Sequence, residues 1–128
     1  MANELILIVE DNEKNRKLER DVLQFNGYRI IEAETAEAGI ELAINQSPDL
    51  ILMDFHLPGM NGIEALQQLR AAEATRSIPV ISVTASAMTE DRQRIMAAGF
   101  EALQTKPISV KQFVETVKEV LARGASKP

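Results

Sequence analysis

The segment L-I-L-I-V-E-D-N, residues 5–12, joins five consecutive apolar residues to two adjacent acids. An apolar run without alternation predicts a β-strand that is covered on both faces, as in a parallel sheet. The acids follow at the point where such a strand would leave the core, although two like charges side by side repel each other. The segment therefore indicates a fold with a parallel sheet. It also raises the question of why two acids, Glu10 and Asp11, stand together at the end of the strand.

Four further apolar runs follow along the chain, separated by segments in which apolar residues recur at helical spacing. The predicted strands are Leu5–Val9, Tyr28–Ala33, Asp49–Asp54, Ile78–Val83 and Ala102–Thr105. The predicted helices are Asn12–Asn26, a helix between Thr35 and Ser47-Pro48, a helix capped by Asn61, Ser86–Ala98, and a helix capped by Ser109. Strands that alternate with helices predict an α/β protein with a parallel five-stranded sheet and helices on both faces.

The helical spacing also predicts which side chains face the core. They are Leu18, Val22, Leu23 and Phe25 in the first helix, Ala36, Ile40, Ala43 and Ile44 in the second, Ile63, Leu66 and Leu69 in the third, and Val110, Phe113, Val114, Val117, Val120 and Leu121 in the last.

The composition limits the possible classes of protein. A chain of 128 residues suits one domain, expected to span residues 1–128 with its core at about 5–121 and a frayed tail at 124–128. The net charge of −5 argues against a nucleic-acid partner, which needs a basic surface. The absence of Cys leaves no disulfide or thiolate site. No apolar run is long enough for a membrane span or a signal peptide, so we expect a cytoplasmic protein.

Polar or charged residues stand at the ends of four predicted strands. Glu10 and Asp11 follow the first strand, Asp54 ends the third, Thr84 the fourth, and Lys106 follows the fifth. In an open parallel sheet ligands bind outside the carboxyl ends of the strands. We therefore expect these side chains to share one site.

Three converging carboxylates repel one another unless a cation lies among them, and hard oxygen ligands suit Mg²⁺. Each residue also has a plainer interpretation: an acid after a strand can cap a helix, Lys106 can be a surface charge, and Thr84 can reflect strand propensity. Pro107 can follow a cis or a trans peptide bond. Together, however, a metal, a carboxylate, a cation and a hydroxyl are the groups needed to transfer a phosphoryl group to an aspartate.

Five motifs occur in order along the chain: V-E-D-N at 9–12, L-I-L-M-D-F-H-L-P-G-M-N-G at 50–62, V-T-A at 83–85, A-A-G at 97–99 and T-K-P-I-S at 105–109. These motifs resemble those of response regulator receiver domains, the CheY-like family, and the resemblance covers about Leu5 to Leu121. The V-E-D-N and K-P-I-S segments are most similar to those of stand-alone regulators of the DivK type. The resemblance implies a flavodoxin-like, doubly wound (βα)5 fold with strand order 2-1-3-4-5.

The resemblance also implies a role for each site residue. Asp54 is the implied phosphoacceptor, and Thr84 and Lys106 are the groups that respond to the phosphoryl group. Asp11, Asp54 and the backbone carbonyl of His56 are the implied direct Mg²⁺ ligands, with Glu10 acting through a water molecule.

Two features set this chain apart from the family pattern. Leu103 stands where the family often carries a Tyr or Phe that switches between two orientations, so any switch there is smaller. His56 and Ser86 stand two residues after Asp54 and Thr84, at positions that tend to influence how long the phosphoryl group survives. We expect the His56 side chain to be a partly exposed loop residue beside the site.

The resemblance implies a single-domain response regulator without an enzymatic output domain. Its partners would be a sensor histidine kinase or a histidine phosphotransfer protein, and a downstream protein that binds the face formed by residues 86–121. Exposed residues in that face would include Arg92, Arg94, Lys111 and Gln112, which can also be simply solvated.

Two other classes of protein compete with this interpretation. An aspartate-nucleophile phosphatase would want an acid rather than His56 two residues after Asp54. A flavin-binding protein of the same topology would want a Ser/Thr-rich loop where E-D-N-E-K-N stands at residues 10–15.

Overall fold

The computed structural model describes residues 3–85 and 89–125. Its strands are β1 Leu5–Val9, β2 Arg29–Ala33, β3 Leu50–Asp54, β4 Val80–Thr84 and β5 Ala102–Thr105. They form one parallel sheet in the order β2-β1-β3-β4-β5. The flavodoxin-like α/β fold and its strand order are thereby confirmed, and the strand bounds differ from the predicted ones by no more than about two residues, as is usual for element ends.

The helices are α1 Glu13–Phe25, α2 Ala36–Gln46, α3 Gly62–Ala71, α4 Thr89–Ala97 and α5 Val110–Ala125. The side chains of Asn12, Thr35 and Asn61 accept hydrogen bonds from backbone amides of the first turns of α1, α2 and α3, which is why those helices begin there. Ser86, the predicted start of the fourth helix, lies outside the described residues. Helix α5 includes residues 124 and 125, which the sequence placed in the tail. Within the described part of the chain, no helix is long and apolar enough to cross a membrane.

Alternation along the strands divides the core between the two faces of the sheet. Ile6 and Ile8 pack with Leu23 of α1 and Phe113 of α5, in what we call the α1/α5 core. Leu7 and Val9 point the other way, into a core that α2, α3 and α4 cover. Side chains two residues apart along a strand therefore share a face.

Four apolar side chains that the spacing placed in the core are exposed instead. Phe25 is 92% exposed, and Leu18, Ile44 and Val110 are 40%, 44% and 48% exposed. In α1 the fully buried residues are Glu19 and Leu23, whereas Leu18 is next to Glu19 in the chain and Phe25 ends the helix. The prediction was wrong because a 3.6-residue period fixes the repeat of a stripe but leaves its width and centre to the tertiary packing.

Glu19 is an acid inside the α1/α5 side of the core. It is 1% exposed, and its Oε2 atom has no hydrogen-bond partner. Burial first, and then the charge of Glu10, raises the pKa of Glu19 from an ordinary value of 4.5 to about 8, and the charge of Lys106 opposes the shift. The folded protein therefore keeps a proton on Glu19 that the unfolded chain releases as the pH rises above about 4.5, so folding becomes less favourable until the pH reaches about 8.

Glu19→Gln removes this proton-linked cost because the amide cannot ionise. Relative to the unchanged chain, the free energy of unfolding of the variant should increase by up to about 1.4 kcal/mol per pH unit between roughly pH 5 and 8, and level off above that range. Urea unfolding at about pH 5.5, 7 and 8.5 measures the difference. Glu41→Gln, which removes an exposed helical carboxylate, gives the baseline for losing one charge. A Glu19→Gln effect that does not vary with pH would contradict the raised pKa.

Candidate functional site

The carboxyl edge of the sheet brings the predicted acids together. One carboxylate oxygen from each of Glu10, Asp11 and Asp54 lies within 4.8 Å of the other two. Glu10 and Asp54 are buried, and Asp11 is exposed. The cluster is therefore held by the core on one side and reaches solvent on the other, and its three oxygen donors fit a hard divalent cation.

Lys106 is the cation that the fold places against this cluster. Its Nζ atom lies 2.8 Å from Glu10 Oε1 and 3.3 Å from Asp54 Oδ2. The side chain is only 18% exposed, so its interpretation as a solvated surface charge was wrong. Burial lowers the pKa of the ammonium, but the hydrogen bonds and charges of Glu10 and Asp54 outweigh that effect and raise the pKa overall. Lys106 is therefore held in its charged form, and the peptide bond to Pro107 is cis.

Glu10 is fixed through both its backbone and its side chain. Its backbone amide donates to the carbonyl oxygen of Ala33 in β2 at 3.0 Å. Its Oε2 atom accepts from the backbone amide of Asn12 at 3.1 Å, while Oε1 faces Lys106. Burial raises the pKa of the Glu10 carboxyl, the Lys106 hydrogen bond opposes this, and Asp54 adds to it. The shift reflects a carboxylate that burial and a second acid destabilise more than one lysine stabilises it.

Asp54 ends β3 and is 5% exposed. Its Oδ1 atom accepts a hydrogen bond from the backbone amide of His56 at 3.1 Å, so the chain turns over the carboxylate directly after the strand. The His56 side chain is exposed, and its ring meets the buried Phe55 ring edge-on with 5.0 Å between centroids. His56 is thus an exposed loop residue next to Asp54, in agreement with the expectation.

Thr84 lies at the end of β4 and is fully buried. Its carbonyl oxygen accepts a hydrogen bond of 2.8 Å from the backbone amide of Lys106, which ties the two predicted switch residues together through the backbone. Leu103 pairs with Ser82 across β4 and β5 and packs, partly buried, against the α2/α3/α4 side of the core. A partly buried leucine thus occupies the position where the family often carries an aromatic side chain.

The residues proposed for an output face are exposed where the structure describes them, namely Arg92, Arg94, Lys111 and Gln112. Arg94 is more than a solvated charge, because its guanidinium lies 5.5 Å from the centroid of the Phe55 ring. This cation–π distance connects α4 with the residue that follows Asp54.

Sequence reasoning missed two charged residues of α1 that border the site, Arg16 and Glu19. A signal for Glu19 was available, since it stands one helical turn before the buried Leu23 on the same stripe. Arg16 donates to the backbone carbonyl of Glu10 at 2.9 Å. No sequence pattern predicts that hydrogen bond, because its acceptor is a backbone carbonyl, which every residue carries whatever its side chain.

Comparison with known proteins assigns the fold and the site to one family. The sequence-family model of the response regulator receiver domain matches residues 6–118. The polar-differentiation response regulator DivK of Brucella ovis is 47% identical over 116 residues, which are 91% of this chain and 94% of that protein.

Solved structures agree with this assignment. A CheY-like receiver domain protein of Methanospirillum hungatei has a TM-score of 0.89 at 29% identity, covering 98% of this chain and 99% of that chain. The receiver domain of a sensor histidine kinase from Pseudomonas aeruginosa, whose structure has a magnesium ion coordinated in the active-site cleft, has a TM-score of 0.83 at 31% identity, covering 98% and 99%. The chain therefore belongs to the receiver domain family of two-component response regulators.

Proposed function

We propose that this receiver domain accepts a phosphoryl group on Asp54 from the phosphohistidine of a sensor histidine kinase or a histidine phosphotransfer protein, with Mg²⁺ bound. The observation that carries the proposal is the position of Asp54. One of its carboxylate oxygens lies within 4.8 Å of oxygens of Glu10 and Asp11, and its Oδ2 atom lies 3.3 Å from the Lys106 ammonium. A carboxylate that is held at a solvent-reaching edge beside a fixed cation is suited to nucleophilic attack on a phosphorus atom.

The residues divide into direct and indirect holders of the metal. Asp11, Asp54 and the backbone carbonyl of His56 would bind Mg²⁺ directly, and Glu10 would act through a water molecule. Both Glu10 oxygens already have protein partners, the Lys106 ammonium and the Asn12 amide, whereas Asp11 is exposed, and these contacts support the division. When bound, Mg²⁺ would offset the negative charge of the carboxylates and of the incoming phosphoryl group.

In the transfer step an Asp54 carboxylate oxygen attacks the phosphorus atom in line with the leaving histidine. An O–P bond forms as the P–N bond breaks, the electron pair returns to the imidazole nitrogen, and that nitrogen then takes a proton from solvent. Lys106 is charged and within 3.3 Å of Asp54, so it can pair with the new phosphoryl oxygens. The Thr84 hydroxyl would donate to one of the same oxygens.

The output would be a change in protein–protein contacts on the face formed by residues 86–121. The phosphoryl group adds about one negative charge beyond the original carboxylate, by the charges of phosphate groups. Phe55 directly follows Asp54 and contacts Arg94 of α4. A movement of the turn after Asp54 would therefore change this contact with α4. Phosphorylation would then change the populations of two conformations of this face, and a downstream protein that binds one of them would respond to that change.

Asp54→Asn tests the phosphoacceptor, because the amide cannot form an aspartyl-phosphate. The unchanged chain, incubated with Mg²⁺ and acetyl phosphate, should give an acid-labile phosphoform on a phosphate-affinity gel and a gain of one phosphoryl group by intact mass. The variant should give neither. Asp21→Asn, which removes an exposed aspartate of α1, is the matched control and should be phosphorylated normally.

Two outcomes would count against the proposal. A phosphoform that persists in Asp54→Asn would place the modification elsewhere. Steady turnover of a generic phosphate ester by the unchanged chain would favour the competing phosphatase.

The variants Asp11→Asn and Glu10→Gln test whether Asp11 binds the metal directly and Glu10 binds it through water. We expect Mg²⁺ binding to weaken by about a hundredfold in Asp11→Asn and by about tenfold in Glu10→Gln, the lower end for a residue that acts outside the direct ligands. Isothermal titration with MgCl₂ at constant ionic strength measures both losses. Equal losses, or a larger loss in Glu10→Gln, would show that the assigned roles are incorrect.

A further inference from the structure

Arg16 connects the acid cluster to the neighbouring strand β2. Its Nη1 atom donates to the backbone carbonyl oxygen of Glu10 at 2.9 Å, and its Nε atom donates to Glu32 Oε1 at 3.1 Å. The side chain is only 15% exposed, although it stands near the start of a surface helix. Arg16 is thus a fixed part of the structure beside the site.

The hydrogen bond from Arg16 is important because of the place of the Glu10 carbonyl in the chain. The carbonyl of Glu10 and the amide of Asp11 belong to one planar peptide unit. The preceding peptide is held as well, because the Glu10 amide donates to the carbonyl of Ala33 at 3.0 Å. Asp11 is exposed, so the direction of its carboxylate depends on the backbone from which it extends. A bond that fixes the Glu10–Asp11 peptide plane therefore also fixes where the Asp11 side chain begins.

The Arg16 guanidinium is also held by two acidic side chains, Glu32 and Glu34. Glu32 accepts from Arg20 Nη1 at 2.9 and 3.0 Å in addition to its bond with Arg16. Arg16 Nη1 also lies 3.6 Å from Glu34 Oε1. Arg20 thus shares the carboxylate partner of Arg16 but makes no bond to the Glu10 carbonyl among the contacts described, and it provides a natural comparison.

We propose that Arg16 is a positioning residue for the metal site, which holds the Glu10–Asp11 peptide in the orientation that directs Asp11 toward Asp54. This inference rests on the proposed function, because it assumes that Asp11 is a metal ligand.

Loss of the Arg16 charge and loss of its hydrogen bond to the Glu10 carbonyl should change Mg²⁺ affinity in opposite directions. The inference can therefore be tested. Arg16 is a cation close to a site for a cation, so loss of its charge alone would strengthen Mg²⁺ binding. Loss of its bond to the Glu10 carbonyl would release the peptide and weaken Mg²⁺ binding. Arg20→Met removes a positive charge from the same network and leaves the Glu10 carbonyl bond in place.

The experiment is an isothermal titration of MgCl₂ into the unchanged chain, Arg16→Met, Arg16→Lys and Arg20→Met at constant ionic strength. Arg16→Met should weaken Mg²⁺ binding by about tenfold, as expected when a partner that orients a metal ligand is lost. Arg20→Met should bind as tightly as the unchanged chain or slightly more tightly. Arg16→Lys keeps one donor that can reach the carbonyl, so it should recover part of the loss.

A spectroscopic measurement without metal separates positioning from general destabilisation. In ¹H–¹⁵N spectra at a temperature where all variants are folded, the Asp11 amide resonance should move in Arg16→Met and stay in place in Arg20→Met. Binding by Arg16→Met as tight as that of Arg20→Met, or an unmoved Asp11 resonance, would overturn the positioning role while Asp54 phosphorylation of the unchanged chain stood. If the unchanged chain binds no Mg²⁺, the proposed function fails and the positioning role fails with it.

Discussion

The mutual repulsion of three carboxylates is the constraint on which the rest of the site depends. Glu10, Asp11 and Asp54 place oxygen atoms within 4.8 Å of one another, and two of the three side chains are buried. Left to themselves, such groups would separate or take up protons. The raised pKa of Glu10 shows that the Lys106 ammonium offsets only part of the cost of burial and of the neighbouring acid. The site is accordingly arranged for a further positive charge.

The fold keeps the acids together by holding the backbone around each of them. Five parallel strands bring their carboxyl ends to one edge, and hydrogen bonds just beyond the strands fix the chain there. The amide of His56 binds Asp54, the carbonyl of Thr84 binds the amide of Lys106, and Arg16 binds the carbonyl of Glu10. Rigid placement of this kind is what phosphoryl transfer requires, because positioning and electrostatic stabilisation supply most of its catalysis.

The alternation of strands with helices along the chain made both the fold class and the convergence of the acids predictable. Parallel strands have only one edge for their carboxyl ends, so Asp54 and Lys106 could be placed together from sequence alone. The strand order came from the family resemblance, because periodicity says nothing of which strands are neighbours.

The side-chain environment was less predictable, for physical reasons. Hydrophobicity selected Leu18 for the core of α1, but packing buries its neighbour Glu19, at a cost that appears in the raised pKa of that acid. Phe25 was placed inside by helical spacing, yet it lies at the end of α1 with 92% of its surface exposed. The bond from Arg16 to the Glu10 carbonyl depends on backbone geometry that emerges only when β1, β2 and α1 are assembled.

Thermal unfolding in MgCl₂ against NaCl at matched ionic strength tests most directly whether the acid cluster is a site for a divalent cation. Screening of an acidic chain stabilises it equally in both salts, whereas site binding adds stability that grows with the logarithm of the free Mg²⁺ concentration once the site is mostly filled. If the cluster binds Mg²⁺, the unchanged chain should have a higher Tm in MgCl₂ than in NaCl, and Asp54→Asn should show a much smaller difference. Equal Tm values in the two salts, or an undiminished difference in Asp54→Asn, would contradict Mg²⁺ binding at the cluster.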